Sequence, residues 1–149
     1  MSSKKDRGRK MKNYDTFSGK ALDDFRQEVL GSIRGEVLNV FNRERFGDYT
    51  SPEHVEAILR KAGTMKVLCA GHDKQIDPRL LPFVRTGKLQ IRFLPVSKYN
   101  FATENTVIGD KVFIATRRRG IIIESADYAA DARLNFFGLW EIAETDSVV

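Results

Sequence analysis

The stretch Thr106-Val107-Ile108-Gly109-Asp110-Lys111-Val112-Phe113-Ile114-Ala115-Thr116 decides the fold of this 149-residue chain. β-Branched and aromatic residues flank a Gly-Asp pair, the signature of two strands joined by a tight turn. Arg117-Arg118-Arg119-Gly120 reads as a second turn, and Ile121-Ile122-Ile123-Glu124 as the next strand. Ser125 can then cap a last helix. Tyr128, Ala132, Phe136, Leu139 and Ala143 line one face of that helix, and Phe137 and Trp140 widen the stripe. Any part of it that the sheet leaves uncovered would serve a dimer or partner interface.

Upstream of Pro95 the grammar differs. Leu22, Phe25, Val29 and Ile33 recur at helical spacing and predict a helix from Lys20 to Ile33. Glu36 to Phe41 is short, apolar and rich in β-formers, so it predicts a buried strand. Ser51-Pro52 gives a cap followed by proline at the first helical position, with Val55, Ile58 and Leu59 on the apolar face. Met65 to Ala70 is a second strand. Asp77-Pro78 repeats the helix start, Leu80, Leu81 and Val84 follow, and Leu89 to Leu94 is a third strand. Strands alternating with amphipathic helices imply parallel pairing. The whole predicts an α/β domain with a mixed sheet of about six strands flanked by helices.

The first 13 residues lack any apolar period and predict a disordered basic arm ahead of a single domain spanning 14–149. Within it Lys4, Lys5, Arg7, Arg9, Lys10 and Lys12 face only Asp6, which accounts for the entire net charge of +5. A translation start at Met11 would shorten the arm. A 42% hydrophobic share with 30% charged residues is a globular balance. The one cysteine, Cys69, cannot form an internal disulfide, and its apolar neighbours predict a packed thiol. No apolar run is long enough to span a bilayer, and the charged start is no secretory signal. A cytoplasmic protein without membrane contact is expected.

The hairpin 106–116, the strand Gly120 to Glu124 and the helix ending Phe136-Phe137-Gly138-Leu139-Trp140 together resemble the C-terminal part of a phospholipase D-like domain. The resemblance is closest to the version found in effector domains of TrmB-type transcriptional regulators. It implies that active relatives place a His-x-Lys pair just before the strand leading to the Gly-Asp turn. The matching positions here are Phe101 and Thr103, which offer neither a nucleophilic nitrogen nor a cation. No catalytic residue is therefore carried over. His72-Asp73-Lys74 has the right letters but follows the second strand, and Asp77 lies too near. Such regulators also carry a separate DNA-binding domain, and nothing of that size precedes residue 20.

In an open parallel sheet, ligands bind beyond the carboxyl ends of the strands. Asn42, Arg43 and Arg45 follow the first strand, and His72 and Lys74 the second, so Asn42, Arg43, His72 and Lys74 form a candidate anion-binding edge. Solvated polar loops are the alternative. His54, in the first turn of a helix, is expected to be exposed and idle. The histidines and the buried cysteine offer no metal-ligand spacing, and no cofactor is called for.

Arg117, Arg118 and Arg119 suit a phosphate backbone or an acidic partner, or else a solvated turn with salt bridges. The basic arm suits polyanion binding through counterion release, or serves as a solubility tail. The expected function is a non-catalytic regulatory or nucleic-acid-associated module that contacts DNA or RNA phosphates, as a homodimer or with a protein partner. A protein-interaction adaptor or dimeric ligand-sensing domain is the alternative. A phosphodiesterase using His72 and Lys74 is the third.

Overall fold

A computed structural model describes residues 9–16, 18–46 and 51–143; of Arg9, Arg45 and Phe46 only the backbone is described. The elements in chain order are β1 (Arg9–Tyr14), α1 (Gly19–Ser32), β2 (Glu36–Asn42), α2 (Arg43–Phe46), α3 (Pro52–Lys61), β3 (Thr64–Ala70), a 3-10 turn (Pro78–Leu80), α4 (Leu81–Arg85), β4 (Leu89–Leu94), β5 (Glu104–Ile108), β6 (Lys111–Ala115), β7 (Gly120–Ser125) and α5 (Ala126–Ile142). The strands form one mixed sheet of seven, in the order β1-β7-β6-β5-β2-β3-β4.

The parallel half is β2, β3 and β4, with Val37 opposite Met65 and Met65 opposite Leu89. The other half is antiparallel. Gly109-Asp110 turns β5 into β6 with Ile108 opposite Lys111. Gly109 has φ of +56°, at the first residue of a two-residue loop, where a side chain would be strained.

The seventh strand corrects the expectation of a disordered arm up to residue 13. Arg9–Tyr14 pairs antiparallel with β7 at the sheet edge, Met11 opposite Ile123 and Tyr14 opposite Gly120. Lysines on an edge strand keep it from pairing with other chains, so the same composition that suggests a tail also suits an edge. Tyr14 anchors the strand by turning its ring into the core. Residues 1–8, with Lys4, Lys5 and Arg7, lie outside the described residues.

Alternation along the strands divides the core between two faces. One carries Val37, Met65, Val67, Leu89, Ile108 and Phe113 beneath α1, α3 and α4. The other carries Leu38, Leu68, Leu94, Val107 and Val112 beneath α5. The expected caps form: Ser51 Oγ accepts from His54 N at 3.2 Å, Asp77 Oδ1 from Arg79 N at 2.9 Å, and Ser125 Oγ from Tyr128 N at 3.2 Å. Helix α5 buries Ala129, Phe136 and Trp140. The Arg92 guanidinium lies 4.4 Å from the Trp140 ring centroid and donates to its carbonyl at 2.7 Å, which fixes the end of α5 to β4.

Candidate functional site

The carboxyl ends of β2 and β3 bring the two candidate loops together. Arg43 Nη1 donates to the Asp73 carbonyl at 2.6 Å, and His72 N donates to Glu44 Oε1 at 3.0 Å. The backbones approach so closely that a Cβ at Gly71 would meet Arg43 Cβ at 3.2 Å. His72 is exposed at this rim, while Lys74 lies partly covered with its ammonium 5.8 Å from the Phe93 ring centroid.

Asn42 departs from the candidate anion site. It is fully buried, and its amide is engaged within the fold. Nδ2 donates to Asn100 Oδ1 at 2.8 Å and to the Phe101 carbonyl at 3.3 Å, and Oδ1 accepts from Glu44 N at 3.0 Å. A residue at the turn from strand to helix must satisfy orphan backbone groups; Asn42 does so here and holds the segment before β5 as well.

Below the rim, between the sheet and helices α1 and α3, lies a cavity of about 180 Å³. Its walls are largely apolar, but Asn39, Glu104 and Thr106 stand in its lining, all more than nine-tenths buried. Asn39 Nδ2 donates to Thr106 Oγ1 at 2.9 Å and to Glu104 Oε1 at 3.5 Å. Sequence reasoning passed over these three. Their signal was a polar residue breaking the apolar alternation on one face of each strand, Val37-x-Asn39-x-Phe41 and Glu104-x-Thr106-x-Ile108.

His54 also lines the cavity and is half-buried, which corrects the expectation that it is exposed and idle. Its backbone belongs to the capped first turn of α3, and this directs the ring inward. Burial, helped by the positive charge of Arg26, lowers its pKa to about 4. The group is neutral in both folded and unfolded chains above pH 6.5, so it contributes no pH dependence there. Between pH 6.5 and 4 the unfolded chain binds the proton first, and stability falls as the pH falls. At about 1.4 kcal/mol per unit the loss approaches roughly 3 kcal/mol. Denaturant titrations at pH 7 and pH 4 should show this loss in the wild type and a correspondingly smaller one in His54→Gln.

The β6–β7 turn gathers the second group of candidates. Arg117, Arg118 and Arg119 are exposed. The turn beneath them is held by Thr116, whose hydroxyl accepts from Arg118 N at 3.2 Å and Arg119 N at 3.0 Å, while its own N–H donates to the Arg119 carbonyl at 2.8 Å. Because Tyr14 lies opposite Gly120, β1 ends beside this turn. Lys10 and Lys12 are exposed along that edge, and Lys12 Nζ meets Glu28 Oε1 at 3.0 Å.

The positions that the resemblance matched to His-x-Lys lie before and at the entry to β5, toward α5. Phe101 packs with Tyr99 against the core beneath that helix. Thr103 Oγ1 accepts from Asn105 Nδ2 at 3.0 Å.

The fold recurs in solved structures. TrmBL2, an archaeal chromatin protein that binds DNA, superposes with a TM-score of 0.66 at 19% identity, over 92% of this chain. NucT from Helicobacter pylori gives 0.66 at 12% identity, and Nuc from Salmonella typhimurium, a phospholipase D family member, gives 0.67 at 10% identity. Each of the last two matches covers 93% of this chain and 98% of the other. The chain has a phospholipase D-like fold. It spans 55% of the TrmBL2 chain. No family model matches it, and no curated protein matches it by sequence. A phospholipase D-like fold carries no activity with it, since function resides in the site rather than the scaffold. No helix among the described residues is long and apolar enough to cross a membrane.

Proposed function

We propose that the chain is a non-catalytic, nucleic-acid-associated module of the cell interior that binds phosphate backbones along the β1 edge and the β6–β7 turn. The observation that carries this reading is the Thr116-braced turn with its three exposed guanidinium groups. Like charges repel, and the backbone bonds hold the turn against that repulsion, so a bound anion would relieve it. Arg117, Arg118 and Arg119 would clamp phosphates bidentately, and Lys10 and Lys12 would extend the interface along the edge. Lys4, Lys5, Arg7 and Arg9 would add further positive charge. The Lys12–Glu28 pair is exposed and costs little to break. The DNA-binding TrmBL2 supports the reading by likeness of fold. Phe101 and Thr103 support a non-catalytic role. At the rim, Arg43, His72 and Lys74 remain candidates for a small anion.

The test is binding of a labelled 30-mer duplex DNA, and of a structured RNA, across a salt series. Truncation should remove residues 1–8 and keep 9–14, because loss of β1 would unpair the sheet edge. The triple variant Arg117→Ala/Arg118→Ala/Arg119→Ala should bind more weakly, with a salt slope shallower by about one for each phosphate no longer neutralised. An unchanged slope would remove the turn from the interface. Turnover of a phosphodiester by the wild type, abolished in His72→Ala, would instead establish the enzyme reading.

A second reading rests on α5, where Leu134 is 73% and Ile142 62% exposed. A protein partner or a second copy docked there would give binding that high salt leaves intact.

A further inference from the structure

We propose that the turns leading into β2, β3 and β4 form a second phosphate-binding surface, at the end of the sheet opposite the arginine turn, so that one molecule holds two nucleic-acid segments. The bridging rests on the first surface proposed above, whereas the second surface stands on its own residues. The parallel half of the sheet sets the three turns side by side. Gly63 N donates to the Gly35 carbonyl at 2.8 Å, and Met65 N donates to the Lys88 carbonyl at 2.8 Å. Neighbouring strands lie about 4.8 Å apart, so Arg34, Lys61 and the pair Arg85 and Lys88 fall along one short edge. Lys88 is half-buried and the other three are exposed. Among the described residues, none of the four meets a carboxylate at ion-pair distance. Glu36, at the start of β2, is engaged by Lys66 Nζ at 2.6 Å. Because the chain beyond its basic arm is formally neutral, this cluster is a segregation of charge rather than a share in general basicity.

Part of this charge has a local purpose. Arg34 and Lys61 lie at the carboxyl ends of α1 and α3 and donate to the Ile33 carbonyl at 2.7 Å and the Leu30 carbonyl at 3.0 Å, and Arg85 closes α4. A helix carboxyl end carries the equivalent of about half a negative charge, so three of them offset less than half of four positive charges. The remainder repels itself, and a polyanion would relieve that repulsion while releasing its own counterions. The surface is also open. A Cβ added at Gly35 or Gly87 would meet nothing within 4 Å, so a phosphate backbone can come up against the turns. None of the exposed large apolar side chains, Met11, Tyr128, Leu134, Phe137 and Ile142, lies in them, and a protein interface is usually built round such a core. These features favour a nucleic-acid backbone over an acidic protein. Strand β6 is antiparallel to β5, and β5 to β2, so β6 runs with β2 and the turn of Arg117, Arg118 and Arg119 lies at the carboxyl end. The seven residues of β3 put roughly 20 Å between the two ends.

The test uses the full chain, one duplex 30-mer fixed to beads and a second, labelled duplex in solution. At low salt the wild type should carry the labelled duplex to the beads. Arg34→Gln/Lys61→Gln/Arg85→Gln/Lys88→Gln, with its fold verified by circular dichroism, should still bind the fixed duplex but carry at least about tenfold less of the second. Placed in the Arg117→Ala/Arg118→Ala/Arg119→Ala variant, the same four changes should make the salt slope of duplex binding shallower by about one for each phosphate no longer neutralised. If the fourfold variant does not fold, Arg85→Gln/Lys88→Gln, confined to the turn before β4, should still lower the slope by about two. Should the four changes weaken binding while the changes at Arg117, Arg118 and Arg119 do not, and no second duplex is carried, the first surface falls and this one stands. Undiminished bridging with an unchanged slope in a folded variant, no duplex binding by the wild type, or binding of polyglutamate in place of duplex would overturn the proposal. So would an absence of bridging when both sets of changes weaken binding, since one duplex would then span both ends.

Discussion

Phe25→Ala lowers the stability of the domain by about 3–5 kcal/mol, read as a lower urea midpoint with an unchanged m-value. The ring is 1% exposed and sits where three elements meet. It meets Tyr14 of β1 edge-on, with centroids 5.7 Å apart and planes at 89°. It meets Phe113 of β6 in the same way, at 5.8 Å and 90°. Truncation leaves a void under α1 and removes two aromatic pairs worth about 0.5–1.5 kcal/mol each beyond their buried area. Leu134→Ala, at the exposed face of α5, should change stability by no more than about 0.5 kcal/mol. A Phe25→Ala cost as small as that of Leu134→Ala would contradict the packing of α1 on β1 and β6.

The second large effect is expected at Asn42. Asn42→Ala removes both donors and the acceptor of a fully buried amide and leaves Asn100, the Phe101 carbonyl and Glu44 N to find other partners. Each buried group left unsatisfied costs about 1–3 kcal/mol, and with partial relaxation and water entry a total of about 2–4 kcal/mol is expected in the same denaturant assay. Asn42→Asp should be no rescue, because a carboxylate keeps the acceptor but loses both donors and adds a buried charge. A residue that served only to bind an external anion would leave stability nearly untouched. The measurement therefore separates the structural role from the ligand-binding role read in the sequence.

The parts legible in the sequence share a physical character. Ser51-Pro52, Asp77-Pro78 and Ser125 announce helix starts because their side-chain oxygens satisfy local backbone donors, an interaction only a few residues long. Gly109-Asp110 announces a hairpin through an equally local cause, the positive φ that glycine tolerates. The expectation of a mixed sheet flanked by helices follows from such local signals. What escaped depends on distant partners. Strand β1 has no apolar alternation of its own, and only β7 makes Arg9–Tyr14 a strand. The short helix Arg43–Phe46 follows from how Asn42 ends β2. His54 looked idle because a residue in the first turn of a helix is normally solvated, and only the packing of α3 over the sheet turns it inward. Asn39 and Thr106 lie 67 positions apart, so their pairing on one face becomes apparent only with the register of β2 against β5.

That outer strand also bears on how the molecule is made. Strand β1 emerges from the ribosome before the rest of the sheet, yet its hydrogen-bonding partner Gly120–Ser125 is synthesised roughly 110 residues later. During that interval the parallel strands β2, β3 and β4 can assemble around their crossover helices without it. Strand β1 then docks late, and in the finished protein its opening disturbs the central strands little, since it has a sheet neighbour on one side alone. Amide hydrogens of Arg9–Tyr14 should therefore exchange with solvent well before those of β2 and β3. A polyanion gripping its lysines would slow that exchange, so the fraying of this strand and the occupancy of the phosphate surface would rise and fall against each other.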